Sequence, residues 1–288
     1  MIALVPEMAL NGLMLGLTLM LVALGLTLVF GIVRIVNLAH GEFYMLGGMV
    51  AWYFAVKVGL NYWLALVLAM VTVSLLGAVA ERFGFRYFRS NLVPSVILSV
   101  GIIFVLDALV MLGLGTQAKA LPGPFSGQVL LLGVNFSTER LMIMVISLGL
   151  VLATILFVQR TRAGAAMRGV AQDAEGAALQ GVSIDWTARL TMMVGGALAG
   201  AGGALLGSVF QVEPAMGFPM VVKALIAITL GGMGSVSGVV LAALMMGMIE
   251  SFATTLAGVE VAGMVLFALL ALFLLVRPYG FFGYEYRV

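Results

Sequence analysis

The sequence predicts an all-α fold: a polytopic bundle of about eight to nine transmembrane helical segments, some of them broken or re-entrant. Three observations predict it. First, 63% of the 288 residues are hydrophobic and only 9% are charged, whereas a soluble globular chain carries roughly 25% charged residues. So few charges cannot cover a water-facing surface of this size, and the apolar atoms must face lipid. Second, the apolar runs reach the length of about 20 residues that a helix needs to cross a bilayer. Third, Lys and Arg are bunched in a few short connections, as the loops of an inserted bundle require.

Crossings are expected near 8–33, 41–57, 63–80, 92–115, 140–159, 188–210, 219–234, 238–256 and 261–277. The chain begins MIALVPEM, with no basic residue and with Glu7, so the first run reads as a permanent helix and not as a cleaved signal peptide. Residues 116–139 hold Pro122, Pro124 and several glycines and read as an external loop with a short hairpin. Residues 160–188 form the largest loop on the other side. The stretch 191–208 carries small residues at Gly195, Ala199, Gly203 and Gly207, and again at Gly196, Gly200, Ala204 and Ser208. Spacing by four places each row on one helix face, where backbones can approach closely. Residues 224–249 contain no charge and are compatible with one long helix, two short ones or a hairpin. Gly231, Gly232, Gly234, Ser235, Ser237 and Gly238 place a break in their middle. No soluble domain is evident, and residues 1–288 read as a single membrane domain.

Charge gives the orientation. Nine crossings put Arg34, Arg82, Arg86, Arg89, Arg160, Arg162, Arg168, Arg277 and Arg287 on one side, leaving Lys57, Lys119 and Arg140 on the other. The basic side is cytoplasmic, so the N-terminus is expected outside and the C-terminus inside. Eight or ten crossings break this agreement unless one segment is re-entrant.

Composition also excludes chemistry. There is no cysteine and a single histidine, which removes disulfides, thiolate metal sites and a Cys–His nucleophile. His40 and Glu42, two residues apart on a helix, face different ways and make a poor metal pair. No G-x-S-x-G elbow supports a serine nucleophile. No G-x-x-x-x-G-K-[ST] loop occurs, so the chain does not hold ATP in the usual way. A net charge of +2 is too small to argue for nucleic acid.

Two regions concentrate polar residues. The stretch VRIVNLAHGEFYMLGG, residues 33–48, holds Arg34, Asn37, His40 and Glu42 beside Gly41. In one reading Asn37 caps the next helix and Glu42 complements its dipole, with Arg34 at the interface. In the other, a broken helix exposes its N–H groups and lines a path, as transporter sites often do, and the break at Gly231, Gly232 and Gly234 is its counterpart. Asp107 lies mid-run, where a charge costs roughly 2.5–3.5 kcal/mol. It should face inward, protonated or paired with Lys223 or Arg34. In the loop 160–188, Met167, Val170, Ala171, Ala174 and Ala178 recur at helical steps and predict one or two short amphipathic helices outside the membrane. Arg168, Gln172, Asp173 and Glu175 lie near that face. A lipid-binding helix favours Lys and Arg with bulky apolar residues. The alanine-rich face with internal acids favours a docking element for a soluble partner instead.

The loop resembles the cytoplasmic coupling region of permease subunits in branched-chain amino acid ABC importers. The resemblance runs through Met167-Arg168-Gly169-Val170-Ala171-Gln172-Asp173, then Ala177-Ala178-Leu179 and Gly181-Val182. It continues in ALGLTLVFGIVRIVNLAHGEFYMLGG, KALIAITLGGMGSVSGVVLAALMMGMIES and LLVRPYGFFG. It covers nearly the whole chain, whose length suits the shorter of the two permease types. Gly176 stands where relatives often carry a bulkier helix former, and Gln180 replaces a common Met. The resemblance implies a multi-pass protein of the bacterial inner membrane carrying leucine, isoleucine, valine, or a related small polar solute such as an amide or urea, by alternating access. It implies a second, homologous permease subunit, two cytoplasmic ATPase subunits that use the ATP, and a periplasmic substrate-binding protein, with no cofactor bound by this chain. Candidate path residues are then Asn37, His40, Gly41, Glu42, Asp107, Gly231, Gly232 and Gly234. Candidate coupling residues are Met167, Arg168, Gln172, Asp173, Glu175, Leu179 and Gly181. Two rivals remain: a carrier or channel driven by a gradient through Asp107, Glu42 and His40, and a membrane scaffold that transports nothing.

Overall fold

The computed structural model describes residues 4–89, 91–131, 133–277 and 280–282. Arg287, counted in the charge asymmetry, lies outside them. α1 (Val5–Val33) opens with Pro6 in its first turn. α2 (His40–Trp52) runs on into a π-helical turn at Tyr53–Lys57. α3 (Tyr62–Phe83) is capped by Asn61, whose side-chain oxygen accepts from the Leu64 N–H at 2.8 Å. α4 (Leu92–Leu114) leads into a loop whose antiparallel hairpin pairs β1 (Gln128–Leu131) with β2 (Val134–Ser137). Then follow α5 (Thr138–Arg160), the short α6 (Arg162–Gln172) and α7 (Ala174–Leu179), and α8 (Ile184–Val209). The chain ends with α9 (Gly217–Gly231), α10 (Val236–Ala257) and α11 (Val259–Val276).

Eight helical segments among the described residues are long and apolar enough to cross a membrane. The ninth expected segment, 41–57, is α2 with its π turn. The uncharged run 224–249 is a hairpin of α9 and α10, turned at Gly232 (φ 98°) and Gly234 (φ 83°). α1 and α8 are the central helices, whereas α4 and α11 pack few of their residues inside the bundle.

Glycine sets how closely the helices approach. Gly12 and Gly16 of α1 lie against Met248 and Leu244 of α10, and Gly247 of α10 lies against Gly16. The first small-residue row of α8 faces α1 and α2, with Gly195 against Gly25 and Gly203 against the Tyr44 carbonyl. The second faces α3, with Gly196 and Gly200 against Val73. Both rows therefore serve packing that bulky side chains would prevent.

These contacts fix the relative directions of α1, α3, α8 and α10. Ser251 of α10 donates to the Met8 carbonyl at one end of α1, and Gly234 meets Gly31 at the other. α10 is thus antiparallel to α1, as α8 is to α3, with Tyr62 Oη donating to the Ala204 carbonyl and Gly77 against Met192. One end of the bundle carries Arg34, the loop after α3, α6, α7 and the α9–α10 turn. The opposite end carries the hairpin, Lys57 and Lys119 at 5.8 and 5.2 Å from the Trp52 ring centroid, and Arg140 on Asn11.

Two helices start inside the bundle. The His40 ring, at the head of α2, reaches the Val22 carbonyl at 3.2 Å. Val22 lies eleven residues before the end of α1, roughly 16 Å along its axis at 1.5 Å per residue. Residues 34–39 must therefore turn back into the bundle, and Ile35, Asn37 and Ala39 are completely buried there. α9 mirrors this. After α8 the chain re-enters along 210–216, where Val212 bridges to Lys119, and Gly217 comes to rest on Gly41. α1, the segment 34–39 and α2 are thus matched, with opposite polarity, by α8, 210–216 and α9. The packing of α1 on α10 and of α8 on α3, the two most extensive in the bundle, follows the same inverted relation.

Candidate functional site

The junction of the two half-helices lies at mid-bundle. Gly41 meets the Gly217 carbonyl, and the Glu42 carboxyl stands over the Gly217 Cα, at the N-terminal end of α9. Free N–H groups and the helix dipole favour an acid there. Glu42 also faces Asp107 of α4. No ion pair among the described residues includes either acid. Lys223 pairs with Glu250, and Arg34 donates to the Ala171 carbonyl at 3.3 Å. The expected pairing of Asp107 with Lys223 or Arg34 is therefore not found.

Asn37 does not cap α2. The N-cap is Ala39, with no side-chain bond, and the Asn37 amide is buried with both polar atoms unpaired. Its position two residues upstream of the cap, inside the re-entrant segment, puts it out of register with the first free N–H groups. The break at Gly231, Gly232 and Gly234 belongs to the turn at the arginine-bearing end, where Gly231 packs on Gly238. It is not the counterpart of residues 34–39; residues 210–216 are. A shared signal was present in the sequence: Val36-x-x-Ala39-x-Gly41 and Val212-x-x-Ala215-x-Gly217.

A cavity of about 1020 Å³ opens at the arginine-bearing end between α1, α5, α6 and the α9–α10 turn. Its wall is largely apolar, with Leu24, Leu28 and Ile155. Thr27, Thr154 and Gln159 supply uncharged polar groups, and Arg34 and Arg168 stand at the rim side with Gln172. Gly234 and Ser235 close it from the turn. Of the candidate path and coupling residues, only Gly234, Arg168 and Gln172 reach this cavity, together with Arg34, Ala171 and Ser235. Thr27 and Thr154 were hidden because their hydroxyls donate to Ala23 and Leu150 within their own helices, an ordinary arrangement in apolar helices.

The predicted amphipathic helices are α6 and α7. Met167 and Val170 are buried against Leu28 and Ile32 of α1, with Leu190 and Val194 of α8 around them. Met167 therefore seats α6 on this chain. Arg168 donates to the Val158 carbonyl near the end of α5. Asp173 ends α6 and caps α7, accepting from the N–H groups of Glu175 and Gly176 at 3.1 and 3.0 Å. A Cβ at Gly176 would press on that carboxylate, so a larger residue there requires the Asp173 side chain to shift. Gln172, Asp173, Glu175, Leu179 and Gly181 are exposed, Leu179 at 87%, and form a free surface.

Sequence reasoning missed a charged cluster beside these helices. Glu81, wholly buried at the end of α3, is held by Arg89, with Arg189 at 3.9 Å. Arg89 and Arg86 each also bind Asp185 of α8 at 2.6 Å. The pairs lie 8 and 96 positions apart in the chain, beyond any local helical spacing.

The chain is similar along almost its whole length to characterised permeases. The high-affinity branched-chain amino acid transport system permease protein LivH of Escherichia coli K12 is 36% identical over 288 residues, covering 95% of this chain and 94% of the relative. The corresponding BraD protein of Pseudomonas aeruginosa is 35% identical with the same coverage of each chain. A probable LivH permease of Methanocaldococcus jannaschii is 23% identical over 93% of this chain and 90% of the relative. Residues 8–274 match the family described as the permease component of the branched-chain amino acid transport system. With eight apolar spans and no domain outside the bundle among the described residues, the chain belongs to the family of branched-chain amino acid transport system permeases.

Proposed function

We propose that this chain forms one half of the translocation path of an ABC importer for branched-chain amino acids. A second, homologous permease completes the path, and two ATPase subunits dock on α6 and α7 and use the ATP. A substrate-binding protein delivers the cargo at the opposite, hairpin-bearing end. The arginine-bearing end is then cytoplasmic, with the N-terminus outside and the C-terminus inside, in line with the bias of basic residues. The observation that carries this reading is that the cavity opens at the end where α6 and α7 are seated. Movement of α6 passes to α5 through Arg168 and to α1 through Met167 and Val170, and these helices form two of the cavity walls. A largely apolar wall with threonine hydroxyls suits an aliphatic side chain. The chain itself holds no cofactor in this account.

The test is reconstitution in liposomes with ATPase subunits, a second permease and a binding protein of the same transport system. Uptake of labelled leucine should require ATP and all partners. Uptake by this chain alone under an imposed proton gradient would refute the proposal and favour a carrier that uses the Glu42–Asp107 pair.

A further inference from the structure

We infer that Arg34 is a positioning residue that ties coupling helix α6 to half-helix α2, so that movement of α6 is passed into the membrane interior along residues 34–39. This rests on the reading that partner ATPases work on α6 and α7. Arg34 is the only residue other than glycine with positive φ among the described residues, at 57°. A long side chain is uncommon in that left-handed region and persists when its surroundings hold it there. Glycine or asparagine takes the conformation more readily, so closing the turn does not by itself call for arginine.

The side chain has a definite partner. Arg34 Nη2 donates to the Ala171 carbonyl at 3.3 Å, in the last turn of α6 (Arg162–Gln172). The final carbonyls of a helix lack partners within it and carry partial negative charge, so a cation is favoured at that place. From Arg34 the chain runs directly inward, through buried Ile35, Asn37 and Ala39, to α2 and its contact with Gly217. The apolar contact of Leu28 and Ile32 with Met167 and Val170 holds α6 on α1 but does not touch this segment. The Arg34–Ala171 bond is made by the first residue of the segment itself. Arg34 also lines the cavity, so the same movement changes the cavity wall.

The test separates side chain from backbone. R34N and R34G keep a residue suited to the left-handed turn but cannot reach Ala171; R34K keeps a long cationic donor. Each variant is assembled with its partners in liposomes, and leucine taken up is measured per ATP hydrolysed. R34N and R34G should assemble and hydrolyse ATP at near wild-type rates while uptake per ATP falls at least about fivefold, the lower range of a coupling effect. R34K should recover most of the loss. Unchanged uptake per ATP in R34N overturns the inference, and so does an R34K defect as deep as that of R34N. Failure of R34N to bind the ATPases also overturns it, by assigning Arg34 to docking. A wild-type assembly without ATP-driven uptake sinks the functional reading first, a result distinct from all of these.

Discussion

Replacing Gly41 by alanine strikes the point where the two half-helices touch. A Cβ built there overlaps the Gly217 carbonyl oxygen, and lies 2.8 Å from the carbonyl carbon and 2.9 Å from the Val221 Cβ. Carbon atoms in contact rest near 3.5–4.0 Å, so the two segments must part by about 1 Å. Neither is free to do so. α2 is held on α8, with Tyr44 and Gly47 against Gly203 and Gly200, and Val212 and Met216 lie on Gly48. Overpacking of this kind costs about 1–3 kcal/mol, and the obstacle here is backbone, which places the cost toward the upper end. The contrasting substitutions are G101A and G149A, where a Cβ meets nothing within 4 Å. There alanine should be neutral or stabilise the helix by up to about 1 kcal/mol. Thermal unfolding of the purified protein in detergent, followed by tryptophan fluorescence, should show G41A melting about 4–12 °C below wild type at roughly 2–4 °C per kcal/mol. G101A and G149A should match or exceed wild type. A G41A protein as stable as wild type would show that the half-helices do not meet at this glycine.

Two further substitutions test the arginine-bearing end. R89A strips the nearest cation from the buried Glu81 carboxylate and should destabilise by about 3–5 kcal/mol, whereas R86A removes a half-exposed pair and should cost about 1 kcal/mol or less. The same melting assay compares them, and equal effects would refute the assigned roles. D173A removes the cap of α7 at a cost of about 1 kcal/mol, so amide exchange should rise across residues 174–179 while the segment around Met167 stays protected. A uniform rise across both helices would mean that Asp173 supports more than α7.

Much of the fold was legible because lipid imposes long apolar runs and confines basic residues to the ends. All nine expected segments contain helix, and the two small-residue rows of α8 are both packing faces. What was not legible depends on long-range contact. Asn37 sits where a capping residue is often found, and only the return of residues 34–39 to the level of Val22 shows that it is buried and off register. Six glycines and serines around 231–238 advertise a break more loudly than Val212 to Gly217, yet the inner discontinuity is the latter. Glycine marks flexible backbone without giving its depth. Asp107 was expected to pair with Lys223 or Arg34, but the charged group beside it is another acid, Glu42, a neighbour that charge matching does not suggest. The short helices α6 and α7 were legible through their three- and four-residue periodicity. That Met167 and Val170 turn toward α1, leaving Leu179 exposed, was fixed by the tertiary fold.

The account turns on which aqueous phase α6 and α7 face. The chain has no cysteine, so a single introduced thiol reports alone, and Ala178 of α7 and Asn135 of the hairpin are both exposed. A membrane-impermeant maleimide should label A178C in inside-out vesicles and not in intact cells stripped of their outer wall, while N135C should show the reverse. Labelling of A178C from the outer phase would contradict the account.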